Sequence, residues 1–483
     1  MKKRYGILMP VFSLPGEYGI GTFGKESYDF IDFLVKSNHT VWQTLPVCQT
    51  VFGDSPYQTT SDKSFNPYFC DLEDLREKGL ITDEELQKEK RKVAKIDYAK
   101  LYKTRYKLLK KAYSRFIPDD EFLKFVNDGE YSSYALFMAL KGVYGERSRF
   151  PEKLLKRDKK AIAEFSDEHA DEILFWQFLQ YTLKKQYEKL KNYAEYRGVE
   201  IMGDLPLYVA GDSVEVWENP SQFLLDENLN PERVAGVPPD YFSADGQLWG
   251  NPVYNYAAMK ENGYKWWKNR IKFALNRFDL VRIDHFRGLD RYWSIPNGEK
   301  AIAGEWVKAD GREILKNMPK NRLIAEDLGI IDDGVISLLK DTGLPGMKVM
   351  LFAFDGNPNN PYLPENIEKN SVSYIGTHDN DTAAGYIKSL PKDALKNLRR
   401  EVAKRTGVKI SELTGAKKIA AAMVDILYKV KSELIILSFA DACLLGNEYR
   451  INTPSTVGNW RVRFSKELFT DELAENLKRL ADS

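Results

Sequence analysis

The chain has 483 residues, enough for about three compact units of ~150 residues or for one large decorated domain. Hydrophobic residues supply 43% and charged residues 29%, which excludes a largely disordered or collagen-like chain. Lys and Arg number 71 against 70 Asp and Glu, so there is no net field to recruit nucleic acid or an anionic membrane surface.

In chain order, the basic start and the apolar run up to Pro10 have the flavour of a secretory leader. Pro10 and then Pro15-Gly16 interrupt that run and no small-residue cleavage site follows, so a cytoplasmic protein is expected. Residues 5–13 form the first candidate strand and 41–47 the second. Cys48, Cys70 and Cys443 lie far apart without CxxC spacing, which supports neither a disulfide framework nor a thiolate metal site and suits a reducing compartment. Residues 72–198 carry helical spacing, with Tyr102, Tyr106, Leu109 and Tyr113 on one predicted face and Leu174, Phe175, Phe178 and Leu179 on another. This stretch reads as an inserted, mainly helical subdomain.

A third strand is predicted at 200–209. Residues 210–256, rich in Pro, Gly, Asp and Trp, then read as a long irregular loop of the kind that carries function. Further strands are predicted at 278–286, 323–328, 346–354, 371–379 and 434–441, and no apolar run approaches the ~20 residues of a membrane span. Eight strands interleaved with helical patterns point to an α/β fold, a (β/α)8 TIM barrel with large helical and loop insertions. Residues 1–71 then hold barrel strands one and two with an active-site loop, and 199–483 hold the remainder of the barrel. Gly19-Ile-Gly21 is a loop signal without the GxGxxG turn that would favour a dinucleotide fold.

Parallel barrels place their chemistry at the C-terminal ends of strands, and here those ends carry acids: Asp204, Asp284, Glu326 and Asp379. Side chains alternate along a strand, so Arg282 and Asp284 share a face, and an arginine beside a carboxylate favours the ionised form. Glu326 follows the apolar Leu323-Ile324-Ala325, which favours the neutral acid. Two carboxyl groups in different protonation states suit cleavage of a glycosidic bond, one attacking the anomeric carbon and one protonating the leaving oxygen. Asp379, beside His378, suits a grip on sugar hydroxyls, and Tyr57, Tyr208 and Trp249 supply faces on which sugar rings stack. Taken singly, each acid reads equally well as a helix cap or a salt bridge, and His378 as a core histidine. No metal is expected. After Asp379-Asn380-Asp381 the glycine and glutamate of a calcium loop are replaced by Ala384 and Leu390, and the four histidines form no HxxxH pair.

Ser13-Leu-Pro-Gly-Glu-Tyr-Gly-Ile-Gly21, Trp42-Gln-Thr-Leu-Pro46, Ser55-Pro-Tyr-Gln58, Gly203-Asp-Leu-Pro206, Arg282-Ile-Asp-His-Phe-Arg-Gly288, Ala325-Glu-Asp-Leu-Gly329, Gly376-Thr-His-Asp-Asn380 and Asn452-Thr-Pro454 occur in this order nearly end to end. In this arrangement the chain resembles the 4-alpha-glucanotransferases of glycoside hydrolase family 77. The resemblance implies a retaining transferase without a cofactor, acting on alpha-1,4-glucans and maltooligosaccharides. Asp284 would be its nucleophile, Glu326 its general acid/base and Asp379 its transition-state stabiliser. Arg282 and His378 would line the donor sugar subsite, with Tyr57 there, Asp204 in support and Trp249 in a loop over the site. Amylase-type hydrolases share the Arg-x-Asp, Glu and His-Asp elements but usually carry histidines where this chain has Val209 and Gly288. An amylase-like hydrolase, a catalytically idle glucan-binding protein and a metal-dependent barrel hydrolase are the other readings. Neither the residues nor the resemblance sets an oligomeric state.

Overall fold

The computed structural model describes residues 3–51, 54–239, 245–329 and 331–483. Its strands are β1 (Arg4–Leu8), β2 (Val41–Gln43), β3 (Glu200–Leu205), β4 (Arg233–Val237), β5 (Gln247–Pro252), β6 (Leu280–Ile283), β7 (Arg291–Pro296), β8 (Glu305–Lys308), β9 (Leu323–Ala325), β10 (Gly346–Val349), β11 (Ser371–Tyr374) and β12 (Leu434–Ser438). Eight of them close into an all-parallel barrel in the order β1-β12-β11-β10-β9-β6-β3-β2. All eight predicted barrel strands form, each shorter than its apolar run. The C-terminal residues of each run leave the ladder and become the rim, which is where the acids sit.

Strand register decides which rim residues meet. Asp204 pairs with Arg282 across β3 and β6, and Ile283 pairs with Ala325 across β6 and β9. The ladder continues one step beyond the strands, since Asp284 N donates to Leu205 O at 3.0 Å and Glu326 N to Ile283 O at 3.1 Å. Asp284 and Glu326 therefore stand side by side as the first residues past neighbouring strands. Alternation turns the next residue, Asp327, the other way. Its carboxylate accepts from Met347 N at 2.6 Å and pairs with Lys348 at 3.4 Å, which ties β9 to β10.

Between β2 and β3 the chain forms a run of helices from Leu72–Glu77 to Ala170–Tyr196. Helix Tyr98–Arg115 buries Leu101, Arg105, Leu108, Leu109 and Ala112, so its inward stripe is rotated from the predicted one and Tyr102, on the shoulder, is 69% exposed. Leu174 likewise stands out from helix Ala170–Tyr196, which buries Phe175, Phe178, Leu179 and Leu183. Each such buried side chain contributes ~1.5–3 kcal/mol. Two glutamines of this helix clamp the segment after β2. Gln180 accepts from Phe65 N at 2.7 Å and donates to Phe65 O at 3.0 Å, and Gln186 makes the same pair with Asp71 at 2.8 and 3.1 Å.

The stretch predicted as an irregular loop is partly a sheet. β4 and β5 join β7 and β8 in a four-stranded antiparallel sheet of order β5-β4-β7-β8 that stands over the barrel mouth. These strands are short and interrupted by Pro and Gly, and β4 pairs with β7 across the whole β6 unit, so no local periodicity marks them. Residues 240–244 of the predicted loop, including Asp240 of its Pro-Pro-Asp segment, lie outside the described residues. Among the described residues no helix is long and apolar enough to cross a membrane, and the three cysteines are unpaired.

Candidate active site

Arg282 organises the rim. Its guanidinium is buried and forked: Nη1 donates to Asp204 Oδ2 at 2.6 Å and Nη2 lies 2.9 Å from Asp284 Oδ1. The same Nη2 is 3.9 Å from Glu326 Oε2, so those two oxygens lie within about 7 Å of each other, close enough for the two carboxyl groups to flank one glycosidic bond. The Asp204 side chain has no exposure, whereas that of Asp284 retains 26% and opens to the cleft. Burial pushes the Asp204 carboxyl up against the pull of Arg282.

Glu326 is held differently. His285 N donates to Oε2 at 2.7 Å and Leu328 N to Oε1 at 3.1 Å. Burial pushes its carboxyl up to about 8 in spite of Arg282 and these two donors, so it is protonated at neutral pH. The neighbouring acids are thus differentiated by environment: one beside an arginine and open to solvent, one desolvated.

Across the mouth, Asp379 Oδ1 accepts from Asn452 Nδ2 at 2.6 Å, and Oδ2 is 3.3 Å from His378 Nε2. Tyr57 donates to Asp204 Oδ2 at 2.7 Å, which leaves its oxygen to accept from His378 Nε2 at 3.0 Å and assigns the proton to Nε2 from the network. The two rings stack, with centroids 5.5 Å apart and planes at 15°. Burial lowers the His378 pKa and keeps the ring neutral. Two further residues brace this corner. Arg450 pairs with Asp381 and donates to Asp379 O at 2.6 Å, and Asn452 N donates to His378 O at 3.0 Å.

A cavity of ≈ 1000 Å³ opens over these groups, lined among others by Tyr57, Trp249, Arg282, Asp284, Glu326 and Asp379. The structure therefore brings six of the eight predicted site residues to one surface. Asp204 and His378 sit behind it, holding Arg282 and Tyr57. Trp249 arrives on β5 and meets the His285 ring edge-on at 4.8 Å. Tyr208, also read as a stacking face, lines the same cavity but is largely buried, its ring 6.1 Å from that of Trp249. His285, Arg450 and Asn452 were assigned no role by sequence reasoning, although His285 and Asn452 lie inside the family-like segments. Among the described residues no group of three or more His, Cys, Asp or Glu is placed to hold a metal ion. At Gly288, where amylases usually carry histidine, a Cβ would lie 2.2 Å from Leu207 Cδ2, so a side chain there requires Leu207 to shift.

The chain is similar to known proteins over nearly its whole length. Residues 9–469 match the glycoside hydrolase family 77 profile, described as 4-alpha-glucanotransferase. The 4-alpha-glucanotransferase of Clostridium butyricum is 41% identical over 488 residues, 98% of either chain. That of Thermus thermophilus is 38% identical and covers 100% of this chain and 99% of its own. Among solved structures, the amylomaltase from Streptococcus agalactiae in complex with acarbose superposes with a TM-score of 0.93 at 35% identity, over 99% of this chain and 98% of that one.

Proposed function

This chain belongs to the 4-alpha-glucanotransferase family, and we propose that it moves segments of alpha-1,4-glucan from a donor to the 4-hydroxyl of an acceptor sugar with retention at the anomeric carbon. Asp284, oriented by Arg282, attacks the anomeric carbon of the donor. Glu326 gives its proton to the departing glycosidic oxygen, and a glycosyl ester forms on Asp284. Glu326, now a carboxylate, takes the proton of the acceptor 4-hydroxyl, whose oxygen displaces Asp284 and restores both residues. Asp379, fixed by Asn452, holds ring hydroxyls as the sugar flattens toward the oxocarbenium ion. Tyr57 supplies a stacking face and Trp249, reaching over the mouth on β5, shelters the ester from water. The observation that carries this reading is the single guanidinium shared by an open Asp284 and a desolvated Glu326. We place the protein in the cytoplasm, in keeping with its three unpaired thiols.

Incubation of the pure protein with maltotriose tests the reaction. A ladder of longer maltooligosaccharides is expected; glucose and maltose alone would mean hydrolysis, and no products an idle binding protein. Asp284→Asn should abolish turnover while maltooligosaccharide binding persists, and substantial residual transfer would remove Asp284 from its role.

A further inference from the structure

His285 follows the end of β6 and Asp284 with φ 46° and ψ 48°, the left-handed region that L side chains adopt at a cost. The turn after it is pinned. Gly288 N donates to His285 O at 2.8 Å, Phe286 N donates to Glu326 O at 3.1 Å, and Trp249 packs on the ring. A change of φ at 285 must therefore be absorbed by rotating the peptide between Asp284 and His285. That peptide carries the N–H that reaches Glu326 Oε2 at 2.7 Å, the short end of the N–H···O range.

We propose that His285 is a positioning residue for Glu326, acting through its peptide N–H, which the left-handed backbone aims, and not through its ring. The proposal rests on reading Glu326 as the general acid/base. A carboxyl oxygen that accepts this N–H can carry its proton on the remaining lone pair. The bond strengthens once the proton has moved to the leaving oxygen, so the donor favours the charge that develops on Glu326 as the glycosidic bond breaks. Because one peptide unit follows the nucleophile and contacts the acid, the separation of the two carboxyl groups is set within a single residue.

Four substitutions, His285→Gly, His285→Asn, His285→Ala and His285→Val, all remove the imidazole, but glycine and asparagine accept the left-handed conformation, alanine less so and β-branched valine least. With maltotriose, all four should share whatever the ring contributes, and alanine and valine should lose a further ~10-fold in kcat. In the last two the alkaline limb of kcat/KM should rise by about one pH unit, since a lost donor favours the protonated acid. The titratable and charged groups facing Glu326 are Arg282, Asp284 and the phenols of Tyr362 and Tyr374, all unchanged in the series, and desolvation lowers the native His285 ring to about 4, so removing it takes away no charge near neutral pH. The extra loss should shrink with an alpha-glucosyl fluoride donor, whose leaving group needs no proton. Equal kcat values and equal limbs across the four would overturn the proposal; if valine prevents folding, the glycine–alanine comparison decides alone. Glu326→Gln separates the two levels. Full activity with maltotriose in that variant would sink the acid/base reading itself, whereas an inactive Glu326→Gln beside four equal His285 variants sinks only the positioning role.

Discussion

Arg282→Lys isolates the value of the guanidinium fork. The native side chain reaches Asp204 Oδ2 at 2.6 Å with one nitrogen and Asp284 Oδ1 at 2.9 Å with the other. Lysine keeps the positive charge but has a single Nζ, which cannot reproduce both bonds. Asp204 is the more deeply buried acid, so leaving it unpaired costs more, and Nζ should settle there and release Asp284. Loss of one charge-assisted hydrogen bond is worth ~1.5–3 kcal/mol, or about 10- to 150-fold in rate. The loss should fall mainly on kcat, because what is lost is the orientation of the attacking carboxylate. Initial rates of glucose release from maltotriose yield kcat and KM, and a circular-dichroism melt on the same sample reports folding. A kcat within about threefold of the native value, with an unchanged melt, would refute the requirement for the fork.

Glu326, raised to about 8, must be protonated to start the reaction. Activity on maltotriose should therefore be retained below that value and fall as pH rises through it, and a pH profile with glucosyl fluoride should lose this limb; identical limbs for the two donors would mean another group titrates. Asn452→Asp replaces the 2.6 Å donor on Asp379 with a like charge, and kcat should drop ~10- to 100-fold with little change in thermal midpoint; native single-turnover rates would show that Asp379 needs no such brace. Gly288→Ala sets a Cβ against the tip of Leu207, a side chain that can turn aside, so the variant should fold with a loss at the low end of ~1–3 kcal/mol in urea denaturation, and failure to fold would show that Leu207 cannot yield.

Much of this protein could be read along the chain. The barrel strands announce themselves because strands buried on both faces are largely apolar, and on four of them an acid at the end of the run marks the rim. Asp284, Glu326 and Asp379 could be named on that basis, and the two-residue spacing of Arg282 and Asp284 already put them on one face. Periodicity also told helix from strand in the long insertion, though Tyr102 shows that a repeat locates a stripe without saying which part of it the neighbour covers.

What needed three dimensions were relations between residues far apart in sequence. The register of β3, β6 and β9 decides that one guanidinium serves Asp204, Asp284 and Glu326, and closure of the barrel sets Asn452 on Asp379 and Tyr57 on His378. In the sheet β5-β4-β7-β8 the β4–β7 pairing that joins two neighbouring-strand pairs is non-local, so the place of Trp249 over the site is settled only with the whole sheet. Backbone hydrogen bonds to Glu326 are likewise invisible in residue identity, because every residue but proline carries an N–H and only the dihedral angles at His285 point this one at the acid. Hydrophobic patterning is a property of single residues and survives in the linear order. Pairwise geometry and desolvation, which give these acids different surroundings, come into being only when the chain closes on itself.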